Sequence, residues 1–160
     1  MIRPTTPDDR TGLIALFKMT GLFQPNQLDE LSGMLADYFN DNSNRDRFWI
    51  TDDEQGVVGV AYCEMERMTN GTWNLQLIAI QPDLQGQGRG TALLRYVEQT
   101  LMVHGARMLL VEASGLPDFD RTRSFYRKCG YDEEARIRDF YSAGDDKIVY
   151  RKALNSQEQM

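Results

Sequence analysis

The chain has 160 residues, 41% hydrophobic and 26% charged, which fits one domain with one buried core. A net charge of −6 argues against binding nucleic acid through its phosphates; it suits a cationic substrate, although acidity also serves solubility alone. No apolar run reaches membrane-spanning length, the N-terminal MIRPTTPDDR lacks an apolar signal region, and Cys63 and Cys129 lie in no metal-ligand pattern; a cytoplasmic protein with reduced thiols, no metal and no membrane contact is expected.

Ile2-Arg3-Pro4 predicts a short edge strand stopped by proline. Pro7 and two acids suit the first turn of a helix through PDDRTGLIALFKM; Leu13, Leu16 and Phe17 share one face, and Gly21 ends it. A second helix runs through QLDELSGMLADYF, with Leu28, Leu31, Leu35 and Phe39 near helical spacing, and DNSNRD follows as a polar loop. RFWITD and GVVGVAYCEME read as strands around a turn at Gln55-Gly56. Asn70-Gly71 marks the next hairpin turn, and with Thr72 it forms a formal glycosylation sequon that is read as the turn. Met65, Met68 and Trp73 around it are expected to fill core.

TWNLQLIAI is the following strand, and QPDLQGQGRGTAL comes next. Helix is predicted from Thr91 to Val103, with Leu93, Val97 and Leu101 four apart and His104-Gly105 closing it. RMLLVEA is a compact apolar strand broken by GLP. DRTRSFYRKC is helical up to Gly130, with Asp120 expected as its cap. YDEEARIRDFY and DDKIVYRKAL are strands joined by SAGDD, and NSQEQM is a polar tail. The order implies an α/β (α+β) fold: one domain over residues 1–154 and a tail over 155–160.

Gly86, Gly88 and Gly90 stand directly before a helix. Glycine permits unusual backbone angles and lets a ligand approach the amides. A helix N-terminus adds unpaired N–H groups and partial positive charge. Together they make an anion site, to which Arg89 adds a charge, and a phosphate or pyrophosphate is the ligand such chemistry suits. The Walker pattern GxxxxGK is absent, and the glycines read GxGxG rather than the dinucleotide GxGxxG. A tight strand-to-helix turn without a ligand explains the same three glycines.

The run from Ile80 to Gly90 resembles motif A of the GNAT N-acetyltransferases: an apolar strand, a proline, then Q/R-x-x-G-x-G/A, with Gln85, Gly88 and Gly90 in its positions. Downstream, Ser124-Phe125-Tyr126-Arg127-Lys128-Cys129-Gly130-Tyr131 is similar to the family's FYxxxGF/Y segment, one helix and one strand later. The resemblance implies a mixed, mostly antiparallel sheet of about seven strands with helices on both faces. Its strands 4 and 5, NLQLIAI and RMLLVEA, would be parallel and splayed.

It further implies acetyl-CoA as co-substrate. The pyrophosphate would lie on the amides of Gln85, Gly86, Gln87, Gly88, Arg89, Gly90 and Thr91, and the pantetheine arm and acetyl carbonyl along Ile78, Ala79 and Ile80. Phe125 and Tyr126 would border the cofactor, with Phe125 the better core aromatic and Tyr126 the proton donor to the leaving thiolate. Many members carry Asn after the strand bearing LLVE; here Ala113-Ser114-Gly115 stands there, and Ser114 is the substitute. Glu112 and Glu64 are both candidates for the base, with Glu112 preferred. Glu66 is expected to be an exposed strand-end carboxylate. Tyr141, near the last hairpin turn, is the candidate substrate contact. The implied activity is acetyl transfer to an amine of a small molecule or protein, with a non-catalytic acyl-CoA sensor as the alternative. A homodimer is compatible with a chain of this size.

Overall fold

The computed structural model describes residues 1–41 and 45–154; part of the expected DNSNRD loop and the whole NSQEQM tail lie outside the described residues. Its strands are β1 (Ile2–Pro4), β2 (Arg47–Asp53), β3 (Val57–Met65), β4 (Thr72–Ile80), β5 (Met108–Ser114), β6 (Asp132–Ser142) and β7 (Asp145–Ala153). The helices are α1 (Arg10–Thr20), α2 (Pro25–Asn40), α3 (Arg89–Val103) and α4 (Asp120–Lys128). Seven strands form one mixed sheet in the order β1-β2-β3-β4-β5-β7-β6. β4 and β5 pair in parallel, from Thr72 opposite Met108 to Leu75 opposite Val111, whereas β1–β2, β2–β3, β5–β7 and β6–β7 pair antiparallel. Among the described residues no helix is long and apolar enough to cross a membrane.

The chain divides into two compact units, residues 1–64 with 77–97 and residues 65–76 with 98–160. In the first, the stripe Leu13, Leu16 and Phe17 of α1 is buried with Leu35 of α2 against Trp49, Val60, Tyr62 and Ala79. Each such side chain contributes about 1.5–3 kcal/mol by leaving water. The Trp49 and Tyr62 rings stack at 4.3 Å, which fixes the register of β2 on β3. Gly21 ends α1 at φ 67°, the left-handed C-terminal geometry its position predicts.

In the second unit β5 alternates cleanly. Leu109, Val111 and Ala113 are buried while Met108, Leu110 and Glu112 are half-buried, so β5 has a core face and a wetter face. Ile148 and Tyr150 of β7 lie on the core face, where Tyr126 approaches both Tyr150 and Tyr131. Within this packing the Tyr131 hydroxyl donates to Glu98 at 2.6 Å, and Lys152 reaches the same carboxylate at 3.2 Å and the Cys129 carbonyl at 3.0 Å. Burial foremost, with the Glu98 carboxylate second, pushes the Tyr131 phenol far above its ordinary range.

Several expectations change. α3 starts at Arg89, two residues before Thr91. Asn70-Gly71 lies in the turn expected there, which is longer than the pair itself: Glu66 N–H bonds Thr72 O and closes a loop over 67–71, where Met68 takes φ 62° and Gly71 φ 81°. Met65 and Met68 are exposed rather than core, and only Trp73 is buried. Asp120 does not cap α4; it sits in the first turn and pairs with Arg123.

Candidate functional site

In the first unit the glycine loop stands at the start of α3. Gln85, Gly86, Gln87 and Gly88 are exposed, and Gly86 and Gly88 take φ 77° and 84°. These are left-handed angles that cost a residue with a Cβ about 1–2 kcal/mol. A Cβ built on either would meet no heavy atom within 4 Å, so the outer side of the loop is open. The Gly88 carbonyl accepts the N–H of Ala92 at 3.0 Å. The first N–H groups of a helix have no intrahelical carbonyl to bond, which leaves those of Arg89, Gly90 and Thr91 for an outside acceptor. This arrangement fits a diphosphate.

Two expected loop contributors are otherwise engaged. The Gln85 N–H points to Pro82 O at 3.4 Å, and its side-chain Nε2 donates to Ile80 O at 3.2 Å, bracing the end of β4 against the loop. Arg89 does not extend its charge to the loop alone: its guanidinium lies 3.2 Å from buried Asp52 and 3.8 Å from Glu54. The side chain ties the start of α3 to β2. Ala79 and Ile80 are buried and Ile78 is half-buried. Gly59 lets β4 come close: a Cβ there would lie 2.8 Å from Ile80 Cδ1 and 3.4 Å from Ala79 O. Glu64, at the end of β3, is half-buried, and the Tyr62 phenol bonds it. Burial first, and Glu64 second, holds that phenol well above its usual range.

The second unit carries the other candidates. Tyr126 is 4% exposed and Phe125 is half-buried, so the two exchange the expected places: Tyr126 is the core aromatic by burial. Its ring lies 5.4 Å from Phe125, 6.1 Å from Tyr131 and 5.9 Å from Tyr150. Ser114 is buried and its hydroxyl donates to Asp145, while Leu116 N–H donates to it at 3.1 Å. The serine has spent its only proton on the β7 carboxylate, so it retains a lone pair and no donor for the expected pantetheine contact.

Glu112 is not embedded in apolar packing, as its setting in LLVEA suggests; it stands on the wetter face of β5. Its Oε1 accepts from Asn74 Nδ2 at 2.9 Å and lies 3.0 Å from Lys147 Nζ. Lys147 in turn lies 4.3 Å from the centre of the Phe140 ring. Glu66 is half-buried rather than exposed, and its Oε1 accepts from the same Asn74 amide at 3.2 Å. Tyr141, 45% exposed, sits against Phe140 at 5.1 Å. Partial burial, and then the charges of Glu112 and Asp145, push its phenol up to about 12, so at neutral pH it remains a donor.

Asn74 is the functional candidate that the sequence reading missed. It is 4% exposed on β4, its NH₂ spans Glu66 and Glu112, and its Oδ1 has no partner. Burying an unpaired carbonyl of this kind costs about 1–3 kcal/mol. The sequence signal was ambiguous: two side-chain amides, Asn74 and Gln76, stand inside the run Thr72–Ile80, and only the first is buried. Glu112 lies on the face of β5 opposite Leu109 and Val111, and the Tyr126 ring packs on Tyr150 at the core face.

A family model described as an acetyltransferase (GNAT) domain matches residues 44–133. A crystal structure of a putative acetyltransferase of the GNAT family from Desulfovibrio desulfuricans is 30% identical, with 96% of this chain and 98% of that chain covered at a TM-score of 0.90. The ribosomal-protein-S18-alanine N-acetyltransferase from Escherichia coli is 20% identical, with 97% and 94% covered and a TM-score of 0.76. An aminoglycoside 6'-N-acetyltransferase complexed with coenzyme A is 15% identical, with 96% and 97% covered and a TM-score of 0.76. No curated protein matches the chain.

Proposed function

The chain belongs to the GNAT acetyltransferases, and on that premise we propose that it moves an acetyl group from acetyl-CoA to a primary amine of a small molecule or protein. The observation that carries the reading is the glycine loop at the start of α3, with Gly86 and Gly88 exposed, in left-handed geometry, and with no heavy atom within 4 Å of a Cβ built on either. The N–H groups from Gly86 to Thr91 would hold the diphosphate, with Gln85 bracing the loop through Ile80 O. Ile78, Ala79 and Ile80 would offer β4 backbone to the pantetheine arm. Acetyl-CoA supplies an activated acyl group with a thiolate leaving group.

An alkylammonium has a pKa of about 10, so the acceptor must lose a proton before it attacks. Glu112 is the group assigned to take it. It is preferred to Glu64 because the chain orients it from two elements, Asn74 on β4 and Lys147 on β7. As nitrogen bonds the carbonyl carbon, the carbon–sulfur bond breaks with its electron pair on sulfur, the Tyr126 phenol donates a proton there, and the second proton that nitrogen gives up in becoming an amide returns through solvent to the phenolate. Tyr141 lies in the field of the Glu112 charge, and with Phe140 beside it would present aromatic surface to the acceptor.

Acetyl-CoA mixed with a broad amine panel, read as released thiol, tests the proposal. Amine-dependent thiol with matching N-acetylated product is expected. Binding of acetyl-CoA with no thiol release from any amine would assign the chain to acyl-CoA sensing instead.

A further inference from the structure

We propose that Asn74 is a positioning residue for the acceptor side: its amide holds Glu112 and Glu66 together, and thereby sets the orientation of Glu112 and the pH above which it accepts a proton. The proposal rests on Glu112 being the base.

The geometry follows from the strands. Asn74 pairs with Leu110 across the parallel β4–β5 ladder, and Glu112, two residues on from Leu110, projects on the same face. Glu66 closes the loop onto Thr72 through its N–H, which returns its side chain to the start of β4. One NH₂ group has two protons, and here each faces a carboxylate oxygen, at 2.9 Å from Glu112 and 3.2 Å from Glu66. Those contacts fix which end of the amide is nitrogen. The orphaned Oδ1 is the complement of that choice. A residue needed only for packing on this apolar strand would be apolar and would leave no buried carbonyl unpaired.

The titratable groups around Glu112 come from three other places: Glu66 after β3, Lys147 and Asp145 on β7, and the neutral Tyr141 on β6. Lys147 attracts the Glu112 carboxylate from 3.0 Å, whereas Glu66, on the same amide, carries the like charge. Asn74 is the neutral group between the two glutamates. It donates to both and lets two like charges share one neighbour. Removing the donor favours the protonated form of Glu112, and replacing it with a third carboxylate favours that form further.

The test is the pH profile of kcat/KM together with carbon-13 titration of the Glu112 side-chain carboxyl, which needs no turnover. Asn74→Leu is expected to move the acid limb and the carboxyl titration upward by about one pH unit, equivalent to a tenfold change in protonation. Asn74→Asp, close to Asn in shape, is expected to move both further. Should Asn74→Leu fail to fold, Asn74→Asp alone decides. A lowered melting temperature with limb and titration unmoved would leave Asn74 a packing residue and overturn the proposal. Glu112→Gln separates the two claims: full activity with its acid limb intact would remove the base assignment, whatever Asn74 does to the carboxyl titration.

Discussion

Gly88→Ala isolates what the loop glycines are for. Gly88 sits at φ 84° and Gly21, at the end of α1, at φ 67°; a Cβ at either would meet nothing within 4 Å. Both substitutions therefore carry the same backbone penalty, about 1–2 kcal/mol for a left-handed alanine. Lower unfolded-state entropy offsets part of it, leaving a net loss of about 1 kcal/mol. For a chain of this size that is a fall of about 2–4 °C in melting temperature, and it should be nearly equal in the two variants. Coenzyme A binding should separate them. If the amides beside Gly88 hold a diphosphate, a methyl group there stands in the ligand's path, and affinity should drop at least about tenfold, or 1.4 kcal/mol. Gly21→Ala should bind as the unaltered chain does. Calorimetric titration of both variants with coenzyme A makes the comparison. Equal affinity in the two would refute the reasoning, because the loop glycines would then serve only the turn.

Tyr126→Phe removes one hydroxyl and keeps the ring among Phe125, Tyr131 and Tyr150; kcat/KM should fall about 100-fold with coenzyme A affinity kept, and an unchanged rate would discard the donor role. Glu98→Leu strips Lys152 and Tyr131 of their shared carboxylate; chemical denaturation should show a loss of about 3 kcal/mol, at the low end for a broken buried pair because Lys152 keeps part of its side chain in water. Arg3, and then Thr6 N–H, hold the buried Asp9 carboxyl below its ordinary range. A depressed carboxylate stabilises the fold above its unfolded pKa of about 3.9 and loses that contribution as pH falls through the lower folded value. Denaturation of Asp9→Asn should therefore show a stability deficit that is constant from about pH 6 to 8 and closes below about pH 4; a deficit independent of pH down to acid would contradict the assignment.

The helices were legible because their apolar spacing matches what they bury: Leu13, Leu16 and Phe17 on α1 form one side of the first unit's core. Strand order followed from the motif resemblance more than from periodicity. The run LLVEA hid a two-faced strand, since Leu110 on the wetter face is as apolar as Leu109 in the core. Hydropathy alone therefore does not show that Glu112 stands on the wetter face. Contacts across long sequence separations were invisible for the same reason. Ser114 meets Asp145, and Asn74 meets Glu112, only because strand register brings them together. Arg89 reads as a phosphate ligand in its loop, but Asp52 sits within its reach only once β2 is in place. Loop chemistry, set by adjacent residues, survived best: Gly86 and Gly88 adopt the left-handed angles that made them conspicuous.

The most direct measurement is the nitrogen-15 amide spectrum of the loop during titration with coenzyme A, with its diphosphate fragment and with pantetheine. The account predicts large shifts at Gly86, Gly88, Gly90 and Thr91 with the first two ligands and little with the third. Saturation by coenzyme A with those four amides unmoved would contradict it.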